Sequence, residues 1–256
     1  MKKSHTPSLG GVGILVMLWV SLFFVDLTFD IVWLVCLFSG FAFIGLYDDL
    51  SSLFKRKNQG LRTLQKFFLQ VILALVFLFW FHVEHSVLSV VDWGICLFAL
   101  VGTSNATNLT DGLDGLLGGL SLITLLGFLF FSSLVLNGSL VIVLLLLMMN
   151  LLGFLVFNRN PAKIFMGDTG SLALGAFFVG VAMVLGNIWL LLPLGAVYIL
   201  ETLSVMVQVG YYKITKNRIF LMAPLHHHFE LLGFKEVIVV RLFWFIGLIF
   251  CLFFII

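Results

Sequence analysis

Nine apolar runs follow one another along this 256-residue chain, and they constrain its fold more than any other feature. Each is about 17 to 21 residues long, the length that an α-helix needs to cross the hydrocarbon core of a bilayer. With 62% hydrophobic and only 10% charged residues, the composition excludes an ordinary soluble domain. We therefore predict an all-α, polytopic integral membrane protein with about nine transmembrane helices in a single domain, 1–256. The runs are 12–29, 31–47, 67–83, 91–107, 117–136, 139–157, 170–186, 188–208 and 237–256.

The placement of charge predicts the orientation of these spans. If the N-terminus is cytoplasmic and the spans alternate, all 14 Lys and Arg residues fall on or just inside the cytoplasmic face. The opposite face then carries four acidic residues and no Lys or Arg, the acids being Asp26, Asp30, Glu84 and Asp92. Because basic residues in short loops stay on the cytoplasmic side, this partition supports both the span count and the direction.

A polar stretch, SNATNLTDGLDGL at 104–116, separates two of the apolar runs. If it stays helical, Asp111 and Asp114 are three residues apart and share a face with Asn108. Such a face suits a hard cation, a nucleotide or a sugar hydroxyl. The alternative is a polar turn in which Gly112 and Gly115 end the helix.

Three further aspartates lie on the same predicted membrane face. Asp48 and Asp49 end the second run, where the helix dipole disfavours negative charge. Adjacent helical residues point about 100° apart, so one should face the bundle and the other the loop. Asp168, in MGDTGS, is either a helix N-cap or a ligand. Five aspartates at one depth predict a bound cation, or substrates carried with one.

Basic and imidazole groups lie on this face as well. Lys66 opens the third run, where its amine can reach an anionic group. The motif APLHHHFE holds His226, His227 and His228. Consecutive residues cannot all face one zinc ion and no cysteine lies nearby, so we favour imidazoles that donate to phosphate or sugar oxygens.

Taken in order, the motifs TPSLGG, DD, SNATNLTDGLDG, NPAKIFMGDTGSLALG, ETLSVMVQ and APLHHHFE resemble those of the phospho-N-acetylmuramoyl-pentapeptide transferases. This family belongs to the polyprenyl-phosphate N-acetylhexosamine-1-phosphate transferases. The resemblance implies transfer of phospho-MurNAc-pentapeptide from its UDP carrier to undecaprenyl phosphate, giving lipid I and UMP with Mg²⁺ as cofactor. It also implies a multi-pass protein of the bacterial plasma membrane with a cytoplasmic catalytic cleft, no nucleic-acid partner and a homodimeric assembly.

The resemblance extends to individual residues. Asp48 resembles the residue proposed to deprotonate the lipid phosphate, with Asp49 beside it, and Lys66 resembles a basic residue near the phosphates. Asp168 and Asp111 correspond to metal-binding positions. The expected substrate-binding residues are Asn108, Asp111, Asp114, Asn158, Phe165, Gln208, His226, His227 and His228, with Asp114 and Phe165 near the uracil.

Two departures from the family pattern bear on activity. The family's first of ten spans has no counterpart here, so we expect either a shortened chain or a misplaced start. Ser52 stands where the family usually has a Lys, which Lys55 or Lys57 would have to replace.

Three alternatives remain at this point. A transferase acting on UDP-GlcNAc would lack the motif APLHHHFE. An ion transporter would carry acids near the middle of its spans, whereas the acids of this chain gather at one interface, with Glu201 as the clear exception. A shortened, inactive paralogue is the third.

Overall fold

The computed structural model describes residues 6–55 and 60–255, and all regular structure in these ranges is helical. The long helices coincide with the apolar runs, because in a bilayer only a helix satisfies every backbone group within its own segment. Two 3₁₀ turns, Leu22–Phe24 and Ile188–Leu190, extend the helical segments. The α-helices are α1 Gly10–Ser21, α2 Phe29–Lys55, α3 Thr63–His85, α4 Val90–Thr110, α5 Leu116–Leu134, α6 Gly138–Asn158, α7 Gly167–Val184, α8 Leu191–Leu194, α9 Ala196–Thr215, α10 Leu225–Leu231 and α11 Glu236–Ile255.

The described residues contain seven helices that are long and apolar enough to cross a membrane. An eighth span results if the segment Ile188–Leu194 and α9, which meet at a bend of 80°, are counted together. The first apolar run forms only the shorter helical segment Gly10–Phe24. The all-α, multi-pass class is thus confirmed, whereas the count of nine spans is not.

Helix α7 forms the centre of the bundle. Every residue from Thr169 to Met183 is buried, and α1, α2 and α4 pack around it. Small residues allow these close approaches. A Cβ atom added at Gly45 of α2 would lie 2.2 Å from the carbonyl oxygen of Asp168, and one at Gly175 of α7 would lie 2.5 Å from Cα of Ser104. These contacts bring the polar ends of α2, α4 and α7 together.

The chain before α1 is held beside the start of α7 by backbone hydrogen bonds. The amide of Phe165 donates to the carbonyl of Pro7 at 2.8 Å, and the amide of Gly10 donates to the carbonyl of Phe165 at 2.9 Å. The amide of Gly11 donates to Met166 at 2.9 Å. The first free N–H groups of α1 therefore find acceptors in the segment that leads into α7.

Candidate active site

Four helices contribute side chains to a cluster around Asp168, the second residue of α7. Lys66, in the first turn of α3, makes ion pairs with Asp168 and, at 3.3 Å, with Asp48 of α2. Asn108, in the last turn of α4, donates from its amide nitrogen to Asp168 Oδ1 at 2.7 Å and to Ser171 Oγ at 2.9 Å. The cluster thus unites one amine, two carboxylates and an amide that orients one of them.

The two adjacent aspartates of α2 have different partners, as their separation around the helix predicts. Asp48 faces the following loop, where it accepts from the amide of Leu61 and pairs with Lys66. Asp49 faces the bundle and accepts from the amides of Asp168 at 3.2 Å and Thr169 at 3.0 Å, and from the Thr169 hydroxyl at 2.7 Å. The interpretation of Asp168 as the N-cap of α7 is therefore wrong, because Asp49 supplies that cap from another helix.

Asp111 and Asp114 do not share a helical face. Helix α4 ends at Thr110, and Gly115, with φ of 81°, adopts the left-handed conformation that glycine favours before α5 begins. The segment 111–115 is therefore the polar turn of the alternative interpretation. Burial raises the pKa of the Asp111 carboxyl well above its usual range, and the nearby carboxylates of Asp168 and Asp49 raise it further.

Asp114 binds the turn that precedes α7. Its Oδ2 accepts from the amide of Ala162 at 3.0 Å and from the side chain of Asn160 at 3.2 Å. Its own amide donates to Glu236 Oε1 at 2.8 Å, and Asn160 also donates to Glu236. Sequence reasoning missed Asn160 and Glu236. For Asn160 the signal was available, because it lies within the NPAKIFMGD motif.

A cavity of about 210 Å³ lies beside the turn 111–115. Asn158 spans its wall, accepting from the amide of Gly115 at 3.0 Å and donating to the carbonyl of Ile164 at 2.9 Å. The predicted substrate residues Asp114, Asn158 and Phe165 therefore lie around one space. The lining residues are Asp111, Gly112, Leu113, Asp114, Asn158 and Phe165.

Three other predicted substrate residues hold the loop between α9 and α11. Gln208 accepts from the amides of Ile219 and Phe220 at 3.0 Å and donates to the carbonyl of Phe220 at 2.9 Å. His228 Nδ1 accepts from the amide of Leu221 at 3.1 Å. His227 Nδ1 lies 2.8 Å from Glu230 Oε2. These contacts order the loop, and none of the three residues is among those that line the cavity.

His226, the remaining histidine of the motif, is fully buried. Its Nδ1 lies 3.2 Å from Oε2 of Glu201, which is also fully buried. Glu201 was expected to lie apart from the other acids, and it does so, because it is buried on α9 against the first turn of α10.

The described residues contain no group of three or more His, Cys, Asp or Glu side chains that could hold a metal ion. Mg²⁺ does not require one, since it is commonly bound by one or two carboxylates together with substrate phosphates. Asp168 and Asp111 fit this mode, because the carboxylates of Asp168 and Asp49 place negative charge around Asp111 that a cation would offset.

The side chain of Ser52 makes a local hydrogen bond. Its hydroxyl donates to the carbonyl of Asp49 at 2.7 Å, in the last turns of α2. Lys57 and the side chain of Lys55, the two expected substitutes for the family's Lys, lie outside the described residues.

Comparisons with known proteins define the class. The sequence profile of Glycosyl transferase family 4 matches residues 31–186, which is more than half of the chain. The chain belongs to this family. A phospho-N-acetylmuramoyl-pentapeptide-transferase of Staphylococcus epidermidis is 43% identical over 97% of this chain and 84% of its own length. Proteins of the same name from Staphylococcus haemolyticus and Staphylococcus aureus, with the same coverage, are 43% and 42% identical. The resemblance seen in the motifs is thereby confirmed.

Proposed function

We propose that the chain transfers phospho-MurNAc-pentapeptide from UDP-MurNAc-pentapeptide to undecaprenyl phosphate, giving lipid I and UMP, the first membrane step of peptidoglycan synthesis. The observation that carries this proposal is the 43% identity to a transferase of that name over 97% of the chain. We further propose that the protein lies in the bacterial plasma membrane with its site facing the cytoplasm, because short loops rich in Lys and Arg stay on the cytoplasmic side of a membrane.

The proposed reaction is a direct displacement. An oxygen of the lipid phosphate forms a bond to the phosphorus that carries the sugar, and the bond from that phosphorus to the bridging oxygen breaks. UMP leaves with the bridging oxygen. Such a step needs an oriented nucleophile and a neutralised leaving group more than covalent help from the protein.

The residues of the cluster supply these needs. Lys66 lies between Asp48 and Asp168, so its amine can turn toward a phosphate oxygen that enters there. In this proposal Asp48 would take a proton from the lipid phosphate, and Asn108 would orient Asp168 through the hydrogen bond to its Oδ1. Asp168 and Asp111 would hold Mg²⁺, which offsets the charge of the diphosphate. The cavity lined by Asp114 and Phe165 would hold the uridine.

The test is conversion of UDP-MurNAc-pentapeptide and undecaprenyl phosphate to lipid I and UMP by the purified chain, with and without Mg²⁺. We expect Mg²⁺-dependent product and a loss of at least about 100-fold in Asp168→Asn. The matched control is Asp30→Asn, the same substitution at an aspartate that pairs with His85 and lies in the first turn of α2, far along that helix from Asp48.

Two outcomes would contradict the proposal. A folded protein that forms no product would favour the inactive paralogue. Product formed from UDP-GlcNAc, but not from the muramoyl donor, would favour the sister transferase.

A further inference from the structure

A buried acid, Glu201, and a buried imidazole, His226, lie next to the turn 111–115. The displacement proposed above uses neither of them. Neither Glu201 nor His226 has any exposed side-chain surface. Although Nδ1 of His226 lies 3.2 Å from Glu201 Oε2, the alignment is not that of a hydrogen bond, and none of the four side-chain polar atoms has a hydrogen-bond partner among the described residues. Buried polar groups without partners are costly, so such a pair calls for a physical reason.

The second ring nitrogen of His226 faces the polar turn between α4 and α5. A Cβ atom added at Gly112 would lie 2.2 Å from Nε2 of His226 and 2.9 Å from its Cε1. The imidazole therefore fills the space that a side chain at position 112 would occupy. Gly112 in turn forms part of the cavity wall. His226 supports that wall from behind.

The other end of the turn has supports of its own. Asn158 accepts from the amide of Gly115, and Glu236 accepts from the amide of Asp114. At the Gly112 end, the fully buried ring of His226 is in closest contact. The rotation of this ring thus affects where Asp111 and Gly112 lie.

We propose that Glu201 is a positioning residue: acting through His226, it fixes the turn 111–115 and so sets the affinity of the cavity for the nucleotide donor. Oε2 of Glu201, 3.2 Å from Nδ1, attracts that edge of the ring, so that the ring keeps the rotation in which Nε2 faces Gly112. This inference deepens the proposed function and rests on it.

The test uses Glu201→Leu, which replaces the buried carboxylate with an apolar side chain and leaves the ring without the charge beside Nδ1. We expect the donor KM and the Kd for UMP to rise about tenfold, while the KM for undecaprenyl phosphate stays within about twofold. Glu201→Gln keeps an acceptor oxygen for Nδ1 and should stay within about threefold of the wild type on every measure.

The matched control is Tyr198→Phe, which removes a buried polar group one turn earlier on α9. Its hydroxyl lies 3.3 Å from Thr124 Oγ1, away from the turn, so donor KM and UMP affinity should not change. The double variant of Glu201→Leu with His226→Ala should bind UMP no more weakly than the weaker single variant, since both act through one contact.

Unchanged UMP affinity in a folded Glu201→Leu protein would overturn the inference. Equal rises in the KM of donor and acceptor would overturn it as well, because they would indicate a general loss of structure. The failure of the proposed function is a separate result: a wild-type chain that binds UMP without forming lipid I would contradict the transferase proposal, and the UMP affinities of the variants would still decide the role of Glu201.

Discussion

Replacing Asp49 with Ala should destabilise the whole bundle, because this carboxylate caps its central helix. In the variant, the amides of Asp168 and Thr169 lose their acceptor at a partly buried site. The Thr169 hydroxyl can turn to another acceptor, so only the two amides are counted. At about 1 to 1.5 kcal/mol for each, within the range for a buried donor left unpaired, the loss is about 2 to 3 kcal/mol.

The assay is thermal unfolding in detergent, followed by tryptophan fluorescence, with helical content checked by circular dichroism. For a chain of this size, about 2 to 4 °C per kcal/mol converts the loss into a fall in Tm of about 4 to 12 °C. Asp49→Asn keeps one acceptor oxygen, so its Tm should fall by about half as much.

The matched control is Asp48→Asn, the same change at the neighbouring position. Asp48 pairs with Lys66 at a partly buried site, but in Asp48→Asn the amine keeps Asp168 as a partner and the Asn keeps an acceptor oxygen for the amide of Leu61. Activity should therefore fall in this variant with little change in Tm. Asp49→Ala with a wild-type Tm, or a larger fall in Asp48→Asn than in Asp49→Ala, would refute the assignment of Asp49 as the cap.

Two further predictions concern the charges of the site. Lys66→Met should lower kcat at least about 100-fold with helical content retained, because Asp48 and Asp168 then face each other without the amine; lipid I formation measures this, and near-normal turnover would contradict it. Asp111→Asn should raise the Mg²⁺ concentration for half-maximal activity about tenfold, whereas Asp114→Asn should raise the donor KM instead; the reverse pattern would contradict the proposed metal site.

The sequence predicted the fold class well, because span length and hydrophobicity follow directly from the thickness of the bilayer. It was less informative for the first run, which has an apolar composition but forms only the short helix Gly10–Ser21 and a 3₁₀ turn. Composition alone does not determine where a helix ends. Here Val25, in an extended conformation, terminates the segment.

For the site, the sequence identified most polar residues but not their partners. Asp49 and Thr169 are 120 positions apart, so their contact depends on the packing of α2 against α7, which no local pattern records. The sequence did allow the turn at Gly112 and Gly115 to be predicted as an alternative, since glycine commonly ends helices. It did not predict the contact between Glu201 and His226, because these residues lie on two separate helices.

The contacts of the acids show how the protein accommodates five aspartates close to one another. Lys66 compensates Asp48 and Asp168, the N-terminus of α7 compensates Asp49, and the amide of Ala162 with Asn160 binds Asp114. Burial raises the pKa of the Asp111 carboxyl, and the neighbouring carboxylates of Asp168 and Asp49 raise it further, while the amide of Gly167 lowers it. A cation bound by Asp111 and Asp168, as we propose, would offset the negative charge that these neighbouring carboxylates share.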